Sequence, residues 1–317
     1  MGARQLVLKI DVDTYRGTRE GVPALVRLLR AHGAGATFLF SMGPDHTGRS
    51  LRRALRPGFF SKVARTSVLR HYGLKTLLYG TVLPGPDIGL RCAAEMRAAA
   101  AAGFECGVHA WDHVQWQDSV RGRGPAWTGA VMNQAEQRFR SVFGAAPPTH
   151  GAAGWQMNAH AFALHDAAGL AYASDTRAPL REDGALRDPD AGPYRIGGSR
   201  CVQLPTTLPT LDELLGRELG GRVLGPDKLA AHLLGLTAGA RRDHVYTLHA
   251  ELEGQQLAHV FEQLLAGWKE QGYRLVPLST AYARVRAHDL PEYPITWGKV
   301  PGRAGELVVG PPSRGHA

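Results

Sequence analysis

At 317 residues, with 44 % hydrophobic and 21 % charged side chains, the chain has globular composition and enough length to bury a sizeable core, and one larger domain fits better than two. No apolar run approaches the roughly 20 residues that cross a bilayer. Met1-Gly2-Ala3-Arg4 passes straight into a strand-like run without a secretory h-region, so a cytoplasmic location is expected. The three cysteines, Cys92, Cys106 and Cys201, are far apart and form no C-x-x-C, which excludes a disulfide framework or zinc ribbon and leaves buried, reduced thiols.

Leu6-Val7-Leu8-Lys9-Ile10 reads as a buried parallel strand, and such strands deliver functional side chains at their C-terminal ends. Asp11 and Asp13 stand there, two positions apart and therefore on one face of extended backbone. One carboxylate of such a pair can ligate a cation while the other stays free as a base; the plainer alternative is a helix cap or an Asx turn into Thr14-Tyr15-Arg16-Gly17. Apolar spacing predicts a helix over 20–32 and a second strand over 36–40, which makes a β-α-β beginning.

The net charge of +9 is concentrated just after this second strand. Between Asp45 and Asp87 there is no acidic residue, while Arg49, Arg52, Arg53, Arg56, Lys62, Arg65, Arg70 and Lys75 supply eight positive charges. Leu51, Leu55, Phe59, Phe60, Val63 and Val68 recur at helical spacing among them, and Pro57-Gly58 divides the run into two short helices. A basic face opposite a Phe/Leu face suits the interface of an anionic membrane. A solvated surface face is the alternative, and nucleic acid is disfavoured because no nucleic-acid-binding fold accompanies the charge.

Further helices are expected over 91–102, 127–143, 159–168, 227–237, 255–271 and 279–287. Strands are expected over 104–108, 170–175, 202–205, 245–249 and 273–277, with small residues at the strand end 149–155 and a loop over 177–200. Seven or eight short strands alternating with helices, with polar residues at strand C-terminal ends, predict a (β/α) barrel. Beyond His288 the composition turns to Pro, Gly and Arg, which predicts a loosely ordered tail over 288–317. The expected layout is a barrel over 1–287 carrying a basic amphipathic insertion at 44–86.

His109-Ala110-Trp111-Asp112-His113 spaces two imidazoles so that they meet on one ion if the backbone is helical. Joined by Asp13 they form a three-ligand site with an open position, the pattern of a catalytic centre. Zn²⁺ is the first choice of metal, with Co²⁺, Ni²⁺, Mn²⁺ or Fe²⁺ as others. Asp11 is then the candidate base, His249 the candidate acid on another strand end, and Asp175 the candidate carboxylate that orients His249.

The order Asp-x-Asp, His-x-x-x-His, strand-end Asp, Leu-His resembles the polysaccharide deacetylase (NodB-homology) family across about residues 6–285. The resemblance implies a distorted (β/α)7 barrel and metal-dependent amide hydrolysis, with Asp11 as base, Asp13, His109 and His113 as ligands and His249 as acid. The family's third motif supplies an arginine that orients the base, and Gly151-Ala152-Ala153-Gly154-Trp155 has none; Arg16, Arg19 and Arg177 are the alternatives. The stretch Asp11 to Pro23, Ser41-Met42-Gly43-Pro44-Asp45, His109 to His113, Ala152 to Trp155 and Leu208-Pro209-Thr210 are similar to the 4-deoxy-4-formamido-L-arabinose-phosphoundecaprenol deformylases, which share the Gly154-Trp155 form of that motif. This narrower resemblance implies release of formate from an amino sugar carried on a polyprenyl phosphate, in lipid A modification and cationic-peptide resistance. Arg16, Arg19, Trp155, Arg52, Arg53 and Arg56 are then candidate contacts to substrate or lipid phosphate, and a peripheral position on the inner membrane's anionic lipids is expected. The other readings are a general deacetylase of N-acetylated amino sugars and an inactive, basic membrane-binding module.

Overall fold

The computed structural model describes residues 3–54, 76–286 and 289–310, with the backbone alone over 51–54. At its centre lies β1 (Gln5–Val12), buried at every position. β-Branched and aliphatic residues fill it, as a strand covered on both faces requires. One edge of β1 pairs in parallel with β6 (His244–His249). The other edge is divided between β7 (Arg274–Val276) at Gln5–Val7 and β2 (Thr37–Ser41) at Lys9–Val12.

The barrel continues from β2 to β3 (Glu105–Ala110). Beyond β3 the hydrogen bonds run through irregular backbone. Val108 N–H donates to Thr149 O and Gly151 N–H to Val108 O; Ser174 N–H donates to His150 O. β4 (Tyr172–Ala173) pairs with β5 (Val202–Gln203), and Thr207 N–H donates to Val245 O to reach β6. Seven staves thus close the ring: β1, β2, β3, the segment 149–151, β4, β5 and β6. The (β/α) barrel expected from the alternation is present, in distorted form, because three of the staves are only two or three residues of paired backbone.

Helices cover the staves: α1 (Val22–Ala31), α2 (Thr47–Ala54), α3 (Ala93–Ala101), α4 (His113–Ser119), α5 (Pro125–Phe143), α6 (Ala159–Ala167), α7 (Pro226–Thr237) and α8 (Ala258–Glu270). Leu25 and Leu29 of α1, Leu233 of α7 and Phe261 and Trp268 of α8 bury their apolar faces against the sheet. Pro125 and Pro226 open their helices at N1, where no amide bond is lost, and left-handed Gly144 (φ 76°) closes α5. The helices expected from 20 and from 255 are present, with their α-helical turns starting at Val22 and Ala258. Each is preceded by a five-residue π-helical turn, Gly17–Gly21 and Leu252–Gln256, and these turns pack together below the strand ends. A Cβ on Gly17 would collide with the Glu251 carboxylate, so a residue without a side chain is required there. The final helix is shorter than expected, Leu278–Tyr282.

The tail departs from its expectation. Within 289–310, β8 (Thr296–Gly298) pairs antiparallel with β9 (Leu307–Val309), and Val300, Leu307 and Val308 are buried. Low apolar content hid this, because the few apolar residues present are the ones that pack. Residues 311–317 lie outside the described residues, as does the centre of the basic insertion, 55–75. Cys92, Cys106 and Cys201 are free and buried, and burial pushes the first two thiols up to about 12 and the third further still.

Candidate active site

Three strand ends meet at the mouth of the barrel. The register sets Asp11 directly beside His249 on β6 and beside Leu39 on β2. On the far side of β2 the ladder with β3 slips by one residue between Phe40 and Ser41, leaving His109 as the extra residue. A bulge of this kind re-aims a side chain. The His109 Nδ1–Gly151 O contact of 2.6 Å makes Nδ1 the donor and leaves Nε2 3.1 Å from Asp13 Oδ1.

The two histidines do not share a helix. β3 ends at Ala110 and α4 begins at His113, with Asp112 between them as N-cap, accepting from Gln115 N–H at 3.0 Å. His113 is therefore the first residue of α4, and its Nε2 lies 3.5 Å from Asp13 Oδ2. Strand, cap and helix start bring the two imidazoles together without the continuous helical backbone that the spacing alone would need.

Asp13, His109 and His113 offer one ligand atom each, all within 4.8 Å of one another. Burial alone would raise the Asp13 pKa, but the imidazoles of His113 and His109 outweigh it and hold the carboxyl well below its usual range. Burial pushes His113 down to about 4, which keeps its lone pair free. Asp13 Oδ1 is buried without a hydrogen-bond partner. One carboxylate and two imidazoles around an unsatisfied buried oxygen fit a divalent cation with an open coordination position.

Glu251 holds this carboxylate's loop from behind. Its Oε1 accepts from Asp13 N–H at 3.1 Å, Thr14 N–H at 2.8 Å and Thr14 Oγ1 at 2.8 Å. Burial, with Asp13 next, pushes its carboxyl up to about 8. Sequence reasoning missed Glu251; a carboxylate two residues past His249, just beyond the strand end, was the available signal.

Asp11 is paired with Lys9, whose Nζ donates to Oδ2 at 3.0 Å, both side chains being buried. Positions 9 and 11 share a strand face, so a buried cation stands beside Asp11 from its own strand. Gly151 makes room for it, since a Cβ there would run into Leu39 and the end of Lys9. None of the three arginines considered takes this role. Arg16 pairs with Glu20 at 2.8 Å, Arg19 donates to the Tyr15 hydroxyl at 2.5 Å, and Arg177 is buried against Glu213 at 2.8 Å. Trp155 is buried beneath the site at positive φ (51°), with Lys9, Arg177 and Arg303 over its ring at 5.0, 4.7 and 4.5 Å.

His249 does not meet Asp175. Its Nδ1 lies 3.7 Å from Asp212 Oδ1, and its backbone N–H donates to Glu253 Oε2 at 3.0 Å. Burial would lower the imidazole pKa, but Asp212, with Asp13 and Glu253 behind it, reverses this and holds His249 above its ordinary value. Asp212 is itself placed by Thr210 Oγ1 at 2.5 Å and by Arg303, which reaches in from the tail to Asp212 Oδ2 at 3.2 Å and Glu213 Oε1 at 2.6 Å. Thr210 and Glu213 form a reciprocal capping box, so the Thr-x-x-Glu pattern after Leu208-Pro209 was the signal that locates Asp212. Asp175 instead faces His150 Nδ1 at 2.6 Å and His165 Nδ1 at 3.5 Å, in a separate buried group. Its position after a strand suggested an orienting role because one short stave looks like another in sequence.

Of the remaining candidates, Arg56 and the side chains of Arg52 and Arg53 lie outside the described residues. α2, which carries Arg52 and Arg53, packs against α4 at the barrel mouth.

No family model matches the chain. A protein of Shewanella sediminis (strain HAW-EB3) named "Probable 4-deoxy-4-formamido-L-arabinose-phosphoundecaprenol deformylase ArnD" is 36% identical over 280 residues, 86% of this chain and 83% of the relative. One of the same name from Wigglesworthia glossinidia brevipalpis is 29% identical over 293 residues, 92% of this chain and 97% of the relative. Among solved structures, one assigned to a polysaccharide deacetylase from Mycobacterium smegmatis superposes with a TM-score of 0.62 at 16% identity, covering 94% of this chain and 96% of that one. An allantoinase superposes at 0.57 with 14% identity, over 89% and 90% of the two chains. The fold is that of the polysaccharide deacetylases, and the chain belongs to the family of 4-deoxy-4-formamido-L-arabinose-phosphoundecaprenol deformylases, hydrolases of an amide carbon–nitrogen bond.

Proposed function

We propose that the protein is a metal-dependent deformylase that hydrolyses the formamide of undecaprenyl-phosphate-linked 4-deoxy-4-formamido-L-arabinose, giving the free amine and formate. The observation that carries this reading is the meeting, at one barrel mouth, of the Asp13–His109–His113 group with two differently paired titratable residues, Asp11 on Lys9 and His249 on Asp212. Asp13, His109 and His113 would hold the ion. When bound, a divalent cation supplies polarisation of the formamide carbonyl and acidification of water.

The chain's own residues divide the proton work. Asp11, held in place by Lys9, takes a proton from the attacking water. His249 gives a proton to the departing amine nitrogen, and Asp212 favours the imidazolium that it must be beforehand. Bond formation at the formyl carbon and cleavage of its bond to nitrogen then release formate and a neutral amine. Trp155 and Arg303 close the floor and one wall, keeping the acid and its carboxylate in place.

A lipid-linked substrate calls for a membrane surface, and the end of the insertion and the residues just past it support one. Leu78, Val82 and Leu90 are 42%, 76% and 65% exposed, three of the four most exposed large apolar side chains among the described residues. Leu78 and Val82 share the acid-free stretch 46–86 with Arg49, Arg52, Arg53 and Arg56, a composition suited to anionic lipid. No helix among the described residues is long and apolar enough to cross a membrane.

The test is product identity. Formate from the lipid-linked formamido sugar is expected, with no acetate from acetylated chito-oligosaccharides; the reverse pattern would move the protein to the general deacetylases. Glutamate at Arg52, Arg53 and Arg56 should weaken binding to anionic liposomes by more than about 3 kcal/mol, counting about 1 kcal/mol for each arginine, while a short formamido sugar is still turned over. Unchanged liposome binding would remove the membrane face from the proposal.

A further inference from the structure

Behind β3 lies a second group of two histidines and a carboxylate. Val108 and Ala110 of β3 line a cavity of about 370 Å³, whereas His109 between them points to Asp13. Trp116, Val131, Leu164 and Leu170 supply much of the apolar lining, and His150 and His165 line the same cavity. Asp175 stands against both imidazoles, and the ligand-capable atoms of the three residues lie within 4.8 Å of one another. His165 and Asp175 are fully buried and His150 is 6% exposed.

His165 marks this group as more than a packed polar cluster. Neither of its ring nitrogens has a hydrogen-bond partner among the described residues, although Nδ1 is 3.5 Å from Asp175 Oδ2. Leaving a buried polar atom unsatisfied costs about 1–3 kcal/mol. The carboxylate opposite is fixed: Gln203 Nε2 donates to Asp175 Oδ2 at 3.1 Å, and Asp175 N–H donates to Gln203 Oε1 at 3.0 Å. Outer hydrogen bonds of this sort orient a metal-ligating carboxylate.

We infer that His150, His165 and Asp175 form a second divalent-metal site, one that takes Zn²⁺ or a similar borderline cation. Donors around a tetrahedral zinc at about 2.0–2.1 Å sit roughly 3.3 Å apart, between the observed imidazole–carboxylate separations of 2.6 and 3.5 Å. Water in the adjoining cavity completes the fourth position. The site shares no residue with the Asp13 group and, among the described residues, has neither a further Asp–Lys nor a further Asp–His pair beside it for proton transfer. Its role is to tie α6 and the staves at 149–151 and β4 together.

The test is metal stoichiometry of the full chain after chelation and equilibrium dialysis against Zn²⁺, with Co²⁺ as a spectroscopic substitute. Two ions per chain are expected in the wild type. The Asp13→Asn/His109→Ala double variant, which leaves the second group untouched, should retain one ion and, with Co²⁺, visible absorption of tetrahedral strength. His165→Phe, which fills the same space with an apolar ring, should also retain one, and circular dichroism establishes that it is folded. One ion in the wild type and none in the double variant would overturn the inference, as would two ions in folded His165→Phe.

Discussion

Two His–His–carboxylate groups flank β3, and their surroundings separate them. Asp13, His109 and His113 stand at the barrel mouth with the His113 side chain 20% exposed, next to a buried Asp11–Lys9 pair and a His249–Asp212 pair. His150, His165 and Asp175 stand behind the strand beside a cavity lined by α6, apolar side chains, Glu136 and Arg140, with a glutamine as further polar support on the carboxylate. Under the proposed function the first group would be a reactive centre with a base and an acid beside it, and the inferred second site, without them, a clamp.

The largest effects that sharpen this contrast belong to the mouth. Asp11→Asn and His249→Ala should each lower kcat for formate release by about 10²–10⁴-fold, the usual contribution of a positioned acid or base. Equal activity in either variant would take the proton work away from that residue.

Next come Asp212, which faces His249, and Asp175, which faces His150 and His165 instead. Asp212→Asn should lower kcat by about 10–100-fold, in line with loss of an orienting partner. It should also move the alkaline limb of the kcat profile to lower pH. His249 must be protonated to donate, Asp212 is the group that raises its pKa, and without that carboxylate the imidazole loses its proton earlier as pH rises. Asp175→Asn should register in the melting temperature, because it leaves His150 without its charged partner. A larger fall in kcat for Asp175→Asn than for Asp212→Asn would return the orienting role to Asp175.

Lys9→Met should reduce kcat by about tenfold or more, as loss of a supporting partner does, and Lys9→Arg should recover most of it. A purely structural lysine would show the loss in stability without that recovery in kcat. The smallest effect is expected from Arg303→Ala, which removes one of two cations from buried Glu213 and should cost about 1–3 kcal/mol of stability.

The mouth was largely legible in the sequence and the back of β3 was not. Asp11, Asp13, His109 and His113 come in tight pairs at strand ends, so local spacing carries them. His150, His165 and Asp175 come from a stave, a helix and a strand end with no shared motif, and only the ring of hydrogen bonds through 149–151 and β4 brings them together. Lys9 was hidden as a lone cation in an otherwise apolar strand, and Asp212 by the loop that separates it from the strand before it. The tail was hidden by composition, since Arg303 acts through one side chain seated on Trp155.

The most direct measurement is formate release from a formamido-arabinosyl polyprenyl phosphate as Zn²⁺ or Co²⁺ is titrated into chelated protein, with His109→Ala in parallel. Formate that rises with added metal in the wild type and stays at background in the variant is the predicted result. Full formate release from the chelated protein, or metal-dependent release that survives His109→Ala, would contradict the account.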